Sequence, residues 1–250
     1  MIHKKTNQPV SPPVQSAPDL AQTSAVAGGT LVAGLLTAAA ALALFALIAF
    51  SLGRGFFVAV DKLALAGAYD LRQANPWLSP AMLLATQSGS VAGLTLQTLL
   101  GAGLLLWRRP LHWRSSLLLL LVVIVGVGLL NVLLKGGFAR TRPSIYPSPL
   151  HLQSYSFPSG HAMSAAAFYG CVALILVRST ARRSRHLLLV TVAALMTVLI
   201  GTSRMYFSVH YPTDVLGGFS AGLGWLVAVR LLWSGSIWRR TGRTMAAPPE

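Results

Sequence analysis

Acidic residues are scarce. Five Asp plus Glu stand against 20 Lys plus Arg, which gives the 250-residue chain a formal net charge of +15. Charged residues of both signs make up only 10% of the chain, whereas a soluble globular domain carries about 25%. An ordinary soluble enzyme is therefore not expected. Cysteine is nearly absent. Cys171 stands alone, which excludes an intramolecular disulfide and a cysteine-rich metal site, and it reads as a small apolar residue in a buried helix. The few acids are scattered, so no metal constellation is evident and no cofactor is expected. Disorder is excluded for the bulk of the chain, because 54% of it is hydrophobic and disorder requires low hydrophobicity.

The apolar residues come in long blocks, and about 20 of them cross a bilayer core. Six blocks qualify: Ala25 to Phe50, Ala81 to Trp107, Ser115 to Leu134, Ser159 to Val177, Leu187 to Thr202 (extendable through Phe207) and Thr213 to Trp233. Each must satisfy its own backbone hydrogen bonds in lipid, so each is expected to be a helix. The fold class is an all-α integral membrane protein with a six-transmembrane-helix bundle. The first block is too long and too far from the N-terminus for a signal peptide. Expected boundaries are a disordered polar tail over 1–24, a six-span domain over 25–234 and a basic cytoplasmic tail over 235–250. Phe56 to Leu78 holds Asp61, Lys62, Asp70 and Arg72 among apolar residues, which suits an interfacial amphipathic helix on the outer surface.

The basic residues lie in short clusters between the spans, as a multispanning protein carries charge, so nucleic acid is not expected as a partner. Lys4, Lys5, Arg108, Arg109, Arg114, Arg178, Arg182, Arg183, Arg185, Arg239, Arg240 and Arg243 share one side; Arg54, Lys62, Arg72, Lys135, Arg140, Arg142 and Arg204 share the other. The richer side is expected to be cytoplasmic, with both termini inside.

Three clusters remain on the outer side. Lys135, Arg140, Arg142 and Pro143 follow the third span. Pro158-Ser159-Gly160-His161 opens the fourth. Ser203-Arg204, His210 and Asp214 lie between the fifth and sixth. The first two share a loop, and two crossings return the third to the same side, so all can line one pocket. Lys135, Arg142 and Arg204 offer donors and no acceptor, which suits a phosphoryl group. Ser159 and Gly160 sit at a helix start, where backbone N–H groups and the dipole favour an anion. Two histidines at one phosphate site suggest divided labour: one attacks phosphorus and the other protonates the leaving oxygen. The residues alone do not say which does which. Asp214, four positions after His210, suits the holding of an imidazole in one tautomer. Arg140 is left between a secondary phosphate contact and a plain surface charge.

The pattern K-x6-R-P, P-S-G-H and S-R-x5-H-x3-D resembles the signature of the type-2 phosphatidic acid phosphatase superfamily. The strings FPSGHAMSAA and SRMYFSVHYPTDVLGG look like its bacterial membrane branch. The resemblance covers roughly Asp61 to Trp233, including a T-x-x-G-S stretch from Thr86 to Ser90. It implies a metal-independent lipid phosphatase working through a phosphohistidine. His210 matches the nucleophile, His161 the general acid, and Asp214 the partner that orients His210. Lys135, Arg142, Ser159, Gly160 and Arg204 match the phosphate cradle. His161 must then be protonated while His210 is neutral, so activity is expected to fall on both sides of an optimum.

The expected substrate is a lipid phosphate or diphosphate in the bilayer: undecaprenyl diphosphate, phosphatidylglycerol phosphate, phosphatidic acid or diacylglycerol diphosphate. The expected place is the bacterial inner (cytoplasmic) membrane, with the site facing the periplasm or exterior. A lipid phosphotransferase would use the same intermediate with a different acceptor. A vanadate-dependent haloperoxidase shares the pocket design but has soluble relatives. A non-catalytic transporter or lipid-binding protein would have no need for His210 and Asp214 together.

Overall fold

The computed structural model describes residues 17–110, 112–150 and 152–245. Eight α-helices follow in order: α1 Ala17–Arg54, α2 Val58–Ala74, α3 Ser79–Ser88, α4 Val91–Arg108, α5 Trp113–Phe138, α6 Gly160–Val177, α7 Arg183–Tyr206 and α8 Pro212–Met245. Among the described residues there is no strand, and six helices are long and apolar enough to cross a membrane: α1, α4, α5, α6, α7 and α8. The protein is a multi-pass membrane protein. Helix α1 begins at Ala17 and α8 runs on to Met245, so both helices enter the stretches expected to be tails; residues 1–16 and 246–250 of those tails lie outside the described residues.

The second apolar block is not one helix. It breaks at Gly89-Ser90 into α3 and α4. Ser90 caps α4, its hydroxyl accepting from Gly93 N at 3.0 Å. The Gln97 amide donates to Ser88 O at 2.9 Å, so a carbonyl released by the break is paired again, as backbone within a bilayer requires. The break falls within the polar stretch Thr86 to Ser90, between apolar segments that hydropathy alone joins into one span.

Helix α6 is the centre of the bundle, packed against α5, α7 and α8. Leu119, Leu120, Val123 and Val127 of α5 meet Met163, Ala167, Phe168 and Cys171 of α6 and Leu226 and Val229 of α8. In lipid, helices associate through close packing rather than through expulsion of water, and small residues permit it. At Gly218 a Cβ atom would lie 2.6 Å from Ser159 O. The two helices therefore approach to backbone contact where the site is built.

Helix α2 is the amphipathic segment anticipated between the first two blocks. It buries Asp61 and Leu65 and exposes Lys62 and Asp70. It packs on α7 and α8 and pins the α5–α6 loop: Arg72 Nη2 donates to Pro147 O at 2.6 Å, and the Tyr69 and Tyr146 rings stack with centroids 4.5 Å apart.

Candidate active site

All eight expected site residues converge at one end of the bundle. Lys135 ends in the last turn of α5, its Nζ donating to Tyr155 O. Arg142, in the loop that follows, is held by Ser154 O at 2.7 Å from Nε and by Val209 O at 2.7 Å from Nη1. Its Nη1 also lies 3.1 Å from His210 Nε2. Ser159 is the N-cap of α6, and its amide donates to Asp214 O at 2.9 Å. The amides of Gly160, His161 and Ala162 open the helix without intrahelical acceptors. Gly160 is confined by Asn131, whose Oδ1 would lie 3.0 Å from an added Cβ.

Arg204 projects from the last turn of α7 and is 2% exposed. Its Nη1 donates to Thr86 Oγ1 of α3, while its Nε has no partner. The Ser159 hydroxyl is also buried and unpartnered. Buried donors are almost always satisfied, so two unsatisfied ones beside Arg142 and the start of α6 mark a place for an acceptor. His161 stands in the first turn of α6, within electrostatic reach of Lys135, Arg142, Arg204 and His210. Its ring flanks the α3–α4 break: a Cβ on Gly89 would lie 3.5 Å from His161 Cδ2.

His210 is almost fully buried, at 1% exposure. Its Nδ1 faces Asp214 Oδ2 at 3.4 Å and Ser156 Oγ at 3.3 Å. Burial pushes its pKa down to about 4, against the opposing pull of Asp214; the imidazole is neutral at pH 7. Asp214 Oδ2 further accepts from the Ser156 hydroxyl and from Tyr211 N, the latter at 2.8 Å.

Arg140 is not a plain surface charge. It bridges two buried carboxylates, with Nη1 2.6 Å from Asp214 Oδ1 and Nη2 2.8 Å from Asp61 Oδ2. Burial alone would lower its pKa, but the two carboxylates more than offset this and hold it above the ordinary arginine value. Sequence reasoning passed over Asp61, Ser156 and the specific task of Thr86. Asp61 left a signal as one of five acids in the chain, four residues before Leu65 on the buried face of α2, and Thr86 opens the T-x-x-G-S stretch of the resemblance. Among the described residues no three His, Cys, Asp or Glu side chains form a group able to hold a metal ion.

A family model described as the PAP2 superfamily matches residues 116–238. Phosphatidylglycerophosphatase B of Bacillus subtilis (strain 168) is 38% identical over 181 residues, covering 72% of this chain and 86% of that protein. The chain belongs to the PAP2 superfamily. A lipid A 1-phosphatase of Rhizobium etli is 28% identical over 140 residues, covering 52% of this chain and 54% of that protein. The crystal structure of a transmembrane PAP2 type phosphatidylglycerolphosphate phosphatase from Bacillus subtilis superposes with a TM-score of 0.71 at 33% identity, covering 80% of this chain and 96% of that one. The PAP2 match runs from α5 through α8 and contains the three motif clusters, whereas Asp61 of α2 and Thr86 of α3 lie before it.

Proposed function

We propose that this membrane lipid phosphatase works through a phosphohistidine on His210 and that its preferred substrate is phosphatidylglycerol phosphate. The observation that carries the reading is the pair of buried, unpartnered donors, Ser159 Oγ and Arg204 Nε, in the same site as a neutral histidine held against Asp214. Lys135, Arg142, Ser159, Gly160 and Arg204 cradle the phosphoryl group. The Nε2 lone pair of His210 attacks phosphorus while the bond to the leaving lipid oxygen breaks. His161 gives its proton to that oxygen. His210 then carries phosphorus on Nε2 and a proton on Nδ1, and Asp214 stabilises the positive ring. Water replaces the lipid, loses a proton to His161 and attacks phosphorus. The P–N bond breaks, inorganic phosphate leaves, and both histidines return to their starting states.

The substrate preference rests on the likeness to the Bacillus phosphatidylglycerophosphatase B over most of both chains. Undecaprenyl diphosphate, phosphatidic acid and diacylglycerol diphosphate present similar chemistry to the cradle. The site faces the periplasm or exterior of the cytoplasmic membrane, with both termini inside, as the distribution of basic residues supports.

The test is phosphate release by the purified chain in detergent from these four lipids, with EDTA present and His210→Ala alongside, followed by alkaline-quench trapping of the protein after turnover of phosphoryl-labelled lipid. Release that is fastest from phosphatidylglycerol phosphate, a trapped acid-labile phosphoryl-protein, and loss of both in the variant are expected. Turnover by His210→Ala would overturn the mechanism. Faster release from another lipid would overturn the substrate assignment alone.

A further inference from the structure

Asp214 has two carboxylate oxygens and two tasks. Oδ2 faces His210 Nδ1 at 3.4 Å. Oδ1 accepts from Arg140 Nη1 at 2.6 Å, which fixes the rotation of the carboxylate about its own axis. Arg140 is fixed in turn. Its Nη1 also donates to Thr213 Oγ1 at 2.8 Å, and its Nη2 donates to Asp61 Oδ2 at 2.8 Å. Its guanidinium lies 4.4 Å from the centre of the Tyr211 ring. Asp61 is buried at 2% exposure and does more than pair with Arg140. Its Oδ1 accepts from Thr213 N at 3.0 Å and its Oδ2 from the Thr213 hydroxyl at 2.6 Å. A helix outside the four that carry the motifs thus supplies a carboxylate to the N-terminus of α8, where negative charge is stabilising. The Arg140 backbone joins the same unit: its carbonyl accepts from Ser156 N at 2.7 Å, and Ser156 reaches Asp214.

We propose that Asp61 and Arg140 are positioning residues which, acting through Asp214, hold His210 in its attacking orientation; the role rests on His210 being the nucleophile. The charges agree with it. Asp61, Arg140 and Asp214 together carry one net negative charge, which complements the positive charge that the His210 ring gains when phosphorus is transferred to it. A buried carboxylate left without its cation would be costly, so Arg140 keeps Asp214 ionised and aimed at once.

The acid limb of kcat/KM reports the ionisation of His210 in the free protein. Asp214 of α8, Arg142 of the loop, Arg204 of α7 and His161 of α6 face that ring directly or across the site, and Lys135 of α5 acts on the same cluster. Arg140 and Asp61 add to this field from behind Asp214. Loss of the Arg140 charge therefore makes His210 easier to protonate.

The test compares Arg140→Gln, Arg140→Lys and Asp61→Asn with wild type and His210→Ala, all full-length in detergent, on whichever of the four lipids wild type hydrolyses fastest. Elution profile and apparent Tm check the fold of each. Arg140→Gln is expected to lower kcat about 10- to 100-fold with KM nearly unchanged, the pattern of lost alignment rather than lost binding, and to move the acid limb to higher pH. Arg140→Lys keeps the charge without the fork; it leaves the limb in place and recovers part of kcat. Asp61→Asn is expected to lower kcat less than Arg140→Gln and to leave the limb in place or lower. A raised KM with unchanged kcat would make Arg140 a substrate contact and overturn the proposal. So would well-folded variants with wild-type kcat, or an equal loss in the Gln and Lys variants with no movement of the limb; in both cases an inactive His210→Ala would leave the phosphohistidine reading standing. Turnover by His210→Ala, or no turnover by wild type, would overturn both.

Discussion

Arg142 Nη1 lies 3.1 Å from His210 Nε2. A guanidinium has donors and no acceptor, so Nε2 is the bare nitrogen and the imidazole proton sits on Nδ1. That proton faces Asp214 Oδ2 and Ser156 Oγ. This is the tautomer that the proposed attack requires, and its lone pair is covered by Arg142. Burial also lowers the pKa of His210 to about 4, which keeps the ring unprotonated at neutral pH.

This ionisation has a consequence for stability. The imidazole is near its ordinary value of 6.5 in the unfolded chain and at about 4 in the folded one. Between these pH values the unfolded chain binds a proton that the folded chain does not, so stability falls as pH drops from about 6.5 towards about 4. The apparent Tm of wild type in detergent is expected to fall more steeply across that window than that of His210→Gln, in which every other titrating group is retained. Parallel slopes would contradict a neutral, buried His210.

Gly218→Ala tests the approach of α6 and α8. The added Cβ would meet Ser159 O at 2.6 Å and Ala162 Cβ at 2.9 Å; the first is backbone and cannot rotate away. Over-packing of this kind costs about 1–3 kcal/mol, and here it displaces the Ser159 end of α6. A lower apparent Tm together with a lower kcat is expected. A variant with wild-type Tm and activity would show that the contact is not needed to build the cradle.

The six spans and the gathering of the eight motif residues at one end of the bundle were legible because they follow from apolar run length, the number of crossings and residue type. The break at Gly89-Ser90 was not, although Thr86 to Ser90 is a polar stretch, since it rests on Gln97 reaching back to Ser88 O, a side-chain repair that spans nine residues. Nor was the task of Arg140. Its neighbour in the motif, Arg142, shares its residue type and loop, and only the fold separates the one that covers His210 from the one that binds Asp61 and Asp214. Thr86 belongs to the same class, being 118 residues from the arginine it holds.

Thr86→Val removes the partner of Arg204 Nη1 while keeping the side-chain shape. A hydrogen bond to a charged group contributes about 1.5–3 kcal/mol, so Arg204 is expected to lose its fixed direction and KM for the lipid to rise about tenfold. The effect on kcat is expected to be smaller, because the Thr86 hydroxyl bonds to Arg204 and to neither histidine. An unchanged KM in a well-folded variant would mean that Arg204 is aimed by its helix alone.

Orientation is open to a chemical test that this sequence makes clean. Its one cysteine, Cys171, is buried in α6, so the native chain offers no exposed thiol at either membrane face. Ser148→Cys places a thiol in the α5–α6 loop near the site, and Ser179→Cys places one in the turn between α6 and α7, at the other end of the bundle. If the site faces the exterior, a membrane-impermeant maleimide added to intact cells labels Ser148→Cys and spares Ser179→Cys until the membrane is opened. The reverse pattern would put the site in the cytoplasm, and with it the substrate headgroup in the inner leaflet, against the side on which the basic residues accumulate.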